Sequence, residues 1–237
     1  MIPAVVGAVL AGLLVAPALR GLVVRYAVPE GEPWCTACPL CGRTLRGLPP
    51  TGRCPGCRER LGPGAWRVEL VAVAVAAAVA VATDGPQGVA LVWAAGLGVV
   101  LAFVDARVRR LPYPLTLALA AGVAGLLVAA ALTDGRPGVL LRCLLVALAA
   151  AALFELPVWF GLMGGGDSPL AFALGALLGW YGWGAAFTAL FAAVLSAGLW
   201  GLGRAAAALA RRRPVRGIEL PMGPFLLLGT VVAVSLR

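Results

Sequence analysis

Val89–Val104 is an unbroken apolar run, VALVWAAGLGVVLAFV, and Asp105-Ala106-Arg107-Val108-Arg109-Arg110 follows it directly. Apolar runs of about 17 or more residues can cross the hydrocarbon of a bilayer as helices, and such runs recur along most of this chain. The expected fold is therefore an all-α polytopic membrane protein. Asp105 stands at the edge of its run. A carboxylate in or beside a bilayer is expensive to keep, so it is a candidate functional group by default. Three arginines beyond it mark that edge as the side facing the positive-inside compartment.

The rest of the 237 residues agree with that reading. The chain is 62% hydrophobic, with mean hydropathy +0.98, which excludes an ordinary soluble domain. There is no Lys and no His, so all nineteen basic residues are Arg. The lack of His removes the usual general base and the His-bearing metal sites. Hydrolytic chemistry here must use carboxylates, Cys, Ser or Arg. The net charge of +9 has no soluble basic domain to carry it, so nucleic acid is not an expected partner and the lipid bilayer is.

Eight spans are predicted: Ile2–Leu22, Val68–Ala82, Val89–Val104, Leu111–Leu132, Val139–Phe160, Leu170–Trp183, Ala185–Leu202 and Ile218–Leu236. The first lacks a basic leading segment and is kept as a retained helix. Asp84-Gly85-Pro86 and Asp134-Gly135-Arg136-Pro137 carry breaker residues and serve as hairpin connections. Residues 20–67, 105–110, 161–168 and 204–217 fall on one side, and they hold sixteen of the nineteen arginines. That asymmetry makes this side cytoplasmic, with both termini outside. The expected organisation is a first helix over 1–22, a cytoplasmic loop over 23–67 and a membrane domain of about seven helices over 68–237.

The loop contains Cys38-Pro39-Leu40-Cys41-Gly42 and Cys54-Pro55-Gly56-Cys57. Two C-x-x-C knuckles a dozen residues apart suit a tetrahedral zinc site of Cys38, Cys41, Cys54 and Cys57. A loop with little core gains folding energy from such a metal. Two disulfides are the alternative, disfavoured in a reducing cytoplasm. Cys35-Thr36-Ala37-Cys38 offers a second register; the matching C-P-x-C form of the other two favours Cys38. Cys143, in an apolar helix, reads as a packing residue.

A second carboxylate, Asp167, follows Gly164-Gly165-Gly166 at the end of an apolar segment and falls at the same membrane edge as Asp105. Two carboxylates that share one proton can hydrolyse a peptide bond: the ionised one activates water, and the protonated one polarises the carbonyl. The glycines let backbone approach a substrate closely. Taken singly, Asp105 also suits a helix end paired with Arg109, and Asp167 suits an N-cap for a helix starting near Ser168.

Together these segments resemble the type IV prepilin peptidases. Met163-Gly164-Gly165-Gly166-Asp167 is similar to their G-x-G-D signature. Asp105 with Leu111-Pro112 and Leu115-Thr116-Leu117 resembles their first-aspartate segment. The paired C-P-x-C knuckles, Arg67-Val68-Glu69-Leu70 and Pro221-Met222-Gly223-Pro224-Phe225-Leu226 resemble further family segments, in order along nearly the whole chain. The resemblance implies an eight-helix aspartyl endopeptidase of the bacterial inner membrane. Its catalytic residues would be Asp105 and Asp167, and its substrates type IV prepilin or pseudopilin precursors, cut after a Gly at the cytoplasmic face. It also implies, for many members, N-methylation of the new N terminus from S-adenosylmethionine; Glu69, which opens the second span near the cysteine loop, is the candidate carboxylate for that step. The chain departs from the pattern at Pro169, where a Lys is common, at Arg20, where an Asn is expected, and in its short loop.

Several residues suit other roles. Glu69 also suits a structural partner for a loop Arg, and Glu155 suits tuning of the acid pair, snorkelling or an Arg partner. Trp180, Tyr181 and Trp183 read as an interfacial aromatic belt, and Arg211-Arg212-Arg213 as a positive-inside anchor. A scaffold or transporter with a zinc-stapled loop is the rival from another class. Transporters usually carry their acids near the midplane, and here both lie at one edge. A different G-x-G-D protease is the third reading, and the cysteine loop argues against it.

Overall fold

The computed structural model describes every residue except Met1, Glu30, Arg46, Asp84, 161–164, 213–219 and Arg237, and leaves out the side chains of residues 2–5. Gly164 and Met163, singled out above, therefore lie outside the described residues, as does Asp84 of the first breaker turn.

Among the described residues eight helices follow one another: α1 (Ile2–Tyr26), α2 (Arg67–Ala82), α3 (Gly88–Val108), α4 (Tyr113–Thr133), α5 (Val139–Trp159), α6 (Asp167–Tyr181), α7 (Trp183–Ala210) and α8 (Met222–Ser235). Each overlaps one predicted span, although α7 runs on to Ala210 through part of the expected 204–217 loop, and among the described residues there is no strand. α1, α3, α4, α5 and α7 are long and apolar enough to cross a membrane. α6 begins at Asp167 rather than Leu170. α8 begins at Met222, because Pro221 is its extended N-cap; residues 218 and 219 of the expected span are not described.

The chain is apolar inside and out. Leu144, Leu148, Phe187, Phe191 and Trp200 are exposed on α5 and α7, as expected of side chains that face lipid. Lipid is as apolar as a core, so helices here associate by close packing of small residues rather than by hiding apolar surface. α6 illustrates this. It packs against α4, α5, α7 and α8, and its pairing with α5 is the most extensive in the molecule. A Cβ on Gly175 would lie 2.9 Å from the backbone of Ala147, and one on Gly179 would lie 2.6 Å from the backbone of Cys143. Gly175 and Gly179, one turn apart, thus let the two backbones touch, with buried Cys143 in the seam.

Arg142 of α5, an arginine within a span, caps this pairing. Its Nε donates to Gly179 O at 2.7 Å and its Nη2 to Trp180 O at 2.8 Å. These carbonyls at the end of α6 have no helical partner, and the cation also suits the negative end of the helix. Trp180 is 6% exposed and lies under the Arg136 guanidinium at 5.4 Å. It is therefore a packed residue and not part of a lipid-facing belt. Trp183 is exposed, as a belt residue would be.

At the other end of the bundle, Arg20 joins α1, the loop and α2. It is fully buried. Its Nε donates to Glu69 Oε1 at 3.0 Å, its Nη2 to Glu69 Oε2 at 2.5 Å and its Nη1 to Pro63 O at 2.8 Å. Removing one partner of such a buried pair strands the other charge, which typically costs about 3–5 kcal/mol.

Candidate active site and metal centre

Asp105 lies in the last turn of α3. Arg109 ends that helix in the left-handed conformation, φ 52°, and its N–H donates to Asp105 O at 2.8 Å. The Asp105 side chain is 4% exposed. Its Oδ2 accepts the Gly223 N–H from the first turn of α8 at 2.9 Å. Leu111-Pro112 then turns the chain, and Pro112 in extended conformation starts α4.

Asp167 is the first residue of α6, where an acid suits the positive end of the helix. The N-cap is Gly166, so Asp167 stands one position inside the helix rather than capping it. It is half-buried. Gly166 lies against the Leu111 turn: a Cβ on it would lie 3.0 Å from Leu111 Cβ. The end of α3 and the start of α6 therefore meet at one end of the bundle, and the two carboxyl groups interact electrostatically. Gly165 is exposed, beside Val158. Glu155 is half-buried on α5.

The cysteine loop covers the same end. Arg110, just past Asp105, donates to Pro29 O at 3.1 Å and lies over the Trp34 ring at 5.4 Å. Leu48 N–H donates to Pro17 O of α1 at 3.1 Å. Val24, Leu45, Leu48 and Leu61 with Cys38 and Cys54 form a small core separate from that of the bundle.

In that loop the sulfurs of Cys38, Cys41, Cys54 and Cys57 all lie within 4.8 Å of one another, with Cys38–Cys57 and Cys41–Cys54 each at 3.6 Å. Tetrahedral zinc with bonds of about 2.3 Å sets its sulfurs about 3.8 Å apart, so the spacing fits a metal ion. The two knuckles repeat each other. Cys38 N–H bonds Arg43 O and Cys54 N–H bonds Glu59 O, each at 2.8 Å; Gly42 N–H returns to Cys38 O and Arg58 N–H to Cys54 O. Single bridges, Ala37 with Thr44 and Arg53 with Arg60, close each turn. Cys35 stays outside the cluster, its thiol donating to Ala37 O at 3.3 Å.

The donor chemistry also fits a cation. The Cys54 thiol is pushed down to about 6, first by the Cys57 backbone N–H and then by that of Gly56. For Cys57, the Glu59 backbone N–H favours the thiolate, but burial and the three neighbouring sulfurs outweigh it and push the thiol up to about 12. Four crowded sulfurs cannot all be thiolates without a positive charge among them.

The repeat departs from itself at one position. Gly42 has φ 69° and Arg58, its counterpart, has φ 59°. A side chain in that region is strained by about 1–2 kcal/mol. Arg58→Gly should therefore stabilise the loop by up to about 1 kcal/mol, the added freedom of the unfolded chain offsetting part of the gain. Gly42→Arg should weaken it. Resistance of the loop to protease is the measurement, and equal resistance of wild type and Arg58→Gly would show that the left-handed arginine carries no strain.

Residues 91–202, from α3 into α7, match the family model described as the type IV leader peptidase family. The match covers 112 of the 237 residues, a little under half of the chain. The matched segment holds both Asp105 and Asp167, and the family indicates a protease. The cysteine loop and α8 lie outside it. No curated protein matches the chain, and no solved structure does. Gly223 was visible in the sequence only as part of an apolar segment resembling the family. Its contact with Asp105 spans 118 residues, which no local pattern reveals.

Proposed function

We propose that this protein is an aspartic endopeptidase that removes the leader from type IV prepilin-like precursors at the cytoplasmic face of a bacterial inner membrane. The meeting of Asp105 and Asp167 carries the reading. In the proposed reaction the ionised carboxylate takes a proton from water as its oxygen attacks the scissile carbonyl. The protonated carboxyl donates to the carbonyl oxygen, giving a tetrahedral gem-diol. Collapse breaks the C–N bond. The new amine takes a proton from the carboxyl that accepted one from water, and the other carboxyl recovers its own. Gly165, exposed just before Asp167, would give the substrate backbone room.

Zinc is the metal proposed for Cys38, Cys41, Cys54 and Cys57. Held there, it would supply a fixed positive centre that orders the loop over the end of α3. For Glu69 we propose a structural role: both oxygens are engaged by Arg20, and the residue is 2% exposed. Co-expression with a pilin-like precursor bearing Gly before its apolar stretch tests the peptidase. The mass of the mature N terminus also reads methylation, for which nothing in the geometry argues.

The proposed orientation has its own test. Single cysteines between 43 and 60, in a background without competing surface thiols, should be protected from an impermeant reagent in sealed cells. A cysteine at 135 should be labelled. The reverse pattern would rule out cleavage on the cytoplasmic side.

A further inference from the structure

Gly223 meets Asp105 in two ways at once. Its N–H donates to Oδ2 at 2.9 Å, in a buried bond. A Cβ built on it would also lie 2.9 Å from that oxygen, and 3.4 Å from Cβ and Cγ of Asp105. A side chain here would crowd the same oxygen that the N–H holds, so the carboxylate would have to shift to keep the bond. N–H groups in the first turn of a helix have no intrahelical acceptor, so this one is available, and the positive end of α8 suits a carboxylate. Pro221 and Pro224 bracket the glycine. Each has a restricted φ and no N–H, which is tolerated at a helix start and leaves the turn few other conformations.

We propose that Gly223 is a positioning residue for catalysis: its backbone N–H holds Asp105 Oδ2 in one place, and its missing side chain makes that hold sterically feasible. The inference rests on the peptidase reading. It assigns α8, which lies outside the family match, a part in the reaction. With Oδ2 fixed, the orientation of Asp105 toward water and toward Asp167 is set by α8 as well as by α3. Precise orientation of a reacting group is worth large factors in rate, so loosening the carboxylate lowers the rate without changing where substrate binds.

The test uses the full-length protein in lipid nanodiscs with a purified precursor. Gly223→Ala introduces the Cβ. A second variant replaces the 223 amide with an ester by incorporating glycolic acid, which keeps the shape and removes only the donor. Each is expected to lower kcat by about tenfold or more with KM nearly unchanged. The thermal unfolding midpoint of the ester variant should stay close to wild type. In an Asp105→Ala background, Gly223→Ala should not shift the midpoint, because its clash is gone. An ester variant with wild-type kcat overturns the inference, and so does a loss confined to KM. If Gly223→Ala fails to fold, the ester variant decides alone. A wild-type protein that leaves the precursor whole overturns the peptidase reading and this inference with it.

Discussion

Asp105→Asn and Asp167→Asn should each reduce leader removal by at least about a hundredfold while the protein keeps its fold. An amide is nearly isosteric with a carboxylate but cannot take a proton from water or pass one to the leaving amine. Asn at 105 still offers an oxygen to the Gly223 N–H, so the buried contact survives. Asn at 167 remains acceptable at the start of α6, where the residue is only half-buried. In the proposed reaction the two carboxyl groups act as a unit, so the double variant should be little worse than either single one. The measurement is the ratio of precursor to mature protein on a gel, with detergent-solubilised protein checked by size exclusion. Near-normal processing by either variant would remove that residue from the reaction and end the aspartic mechanism.

Removing the metal should have the largest effect on stability, confined to the loop. Purified protein should carry about one zinc per chain, and Cys54→Ser/Cys57→Ser should lose it. In small domains a structural zinc supplies on the order of 10–16 kcal/mol of apparent binding energy, far more than the few apolar residues of this loop can replace. Without metal, protease should cut the segment 35–60, while the helices stay intact because their core is separate. Cleavage of precursor should fall only partly. The loop touches the end of α3 through Arg110 but supplies neither carboxylate. Cys35→Ser should keep its zinc, since that sulfur stands outside the cluster. Unchanged metal content in the Cys54/Cys57 double variant would mean the ligands are elsewhere.

Much of this is legible in the sequence. The eight helices are written in apolar runs, five of them long and apolar enough to cross a bilayer, because a bilayer imposes one length and one polarity on a crossing helix. The knuckles were legible because both ligands of each turn come from one short segment, and the matching C-P-x-C form pointed to Cys38 over Cys35. Asp105 and Asp167 stood out because acids are rare beside such runs. Less visible were the partners of isolated charges. Glu69 looked like a partner for a loop arginine, and the arginine is Arg20 of α1. Arg142 had no sequence-level account, and it caps α6. Trp180 matched an aromatic belt by position, and it is packed beneath Arg136.

By itself, then, the sequence determined what is local or one-dimensional: the helices and their order, the charge asymmetry, the spacing of the cysteines and the identity of the two unusual acids. The tertiary structure alone decided which faces meet. A soluble helix shows its inner face by amphipathic period, but in lipid both faces are apolar and that signal is missing. Small residues such as Gly175, Gly179 and Gly223 set the contacts, and a glycine in a sequence does not say what approaches it. The meeting of α3, α6 and α8 around Asp105 and Asp167 is a product of that packing, and it is what turns two separate carboxylates into a candidate catalytic pair.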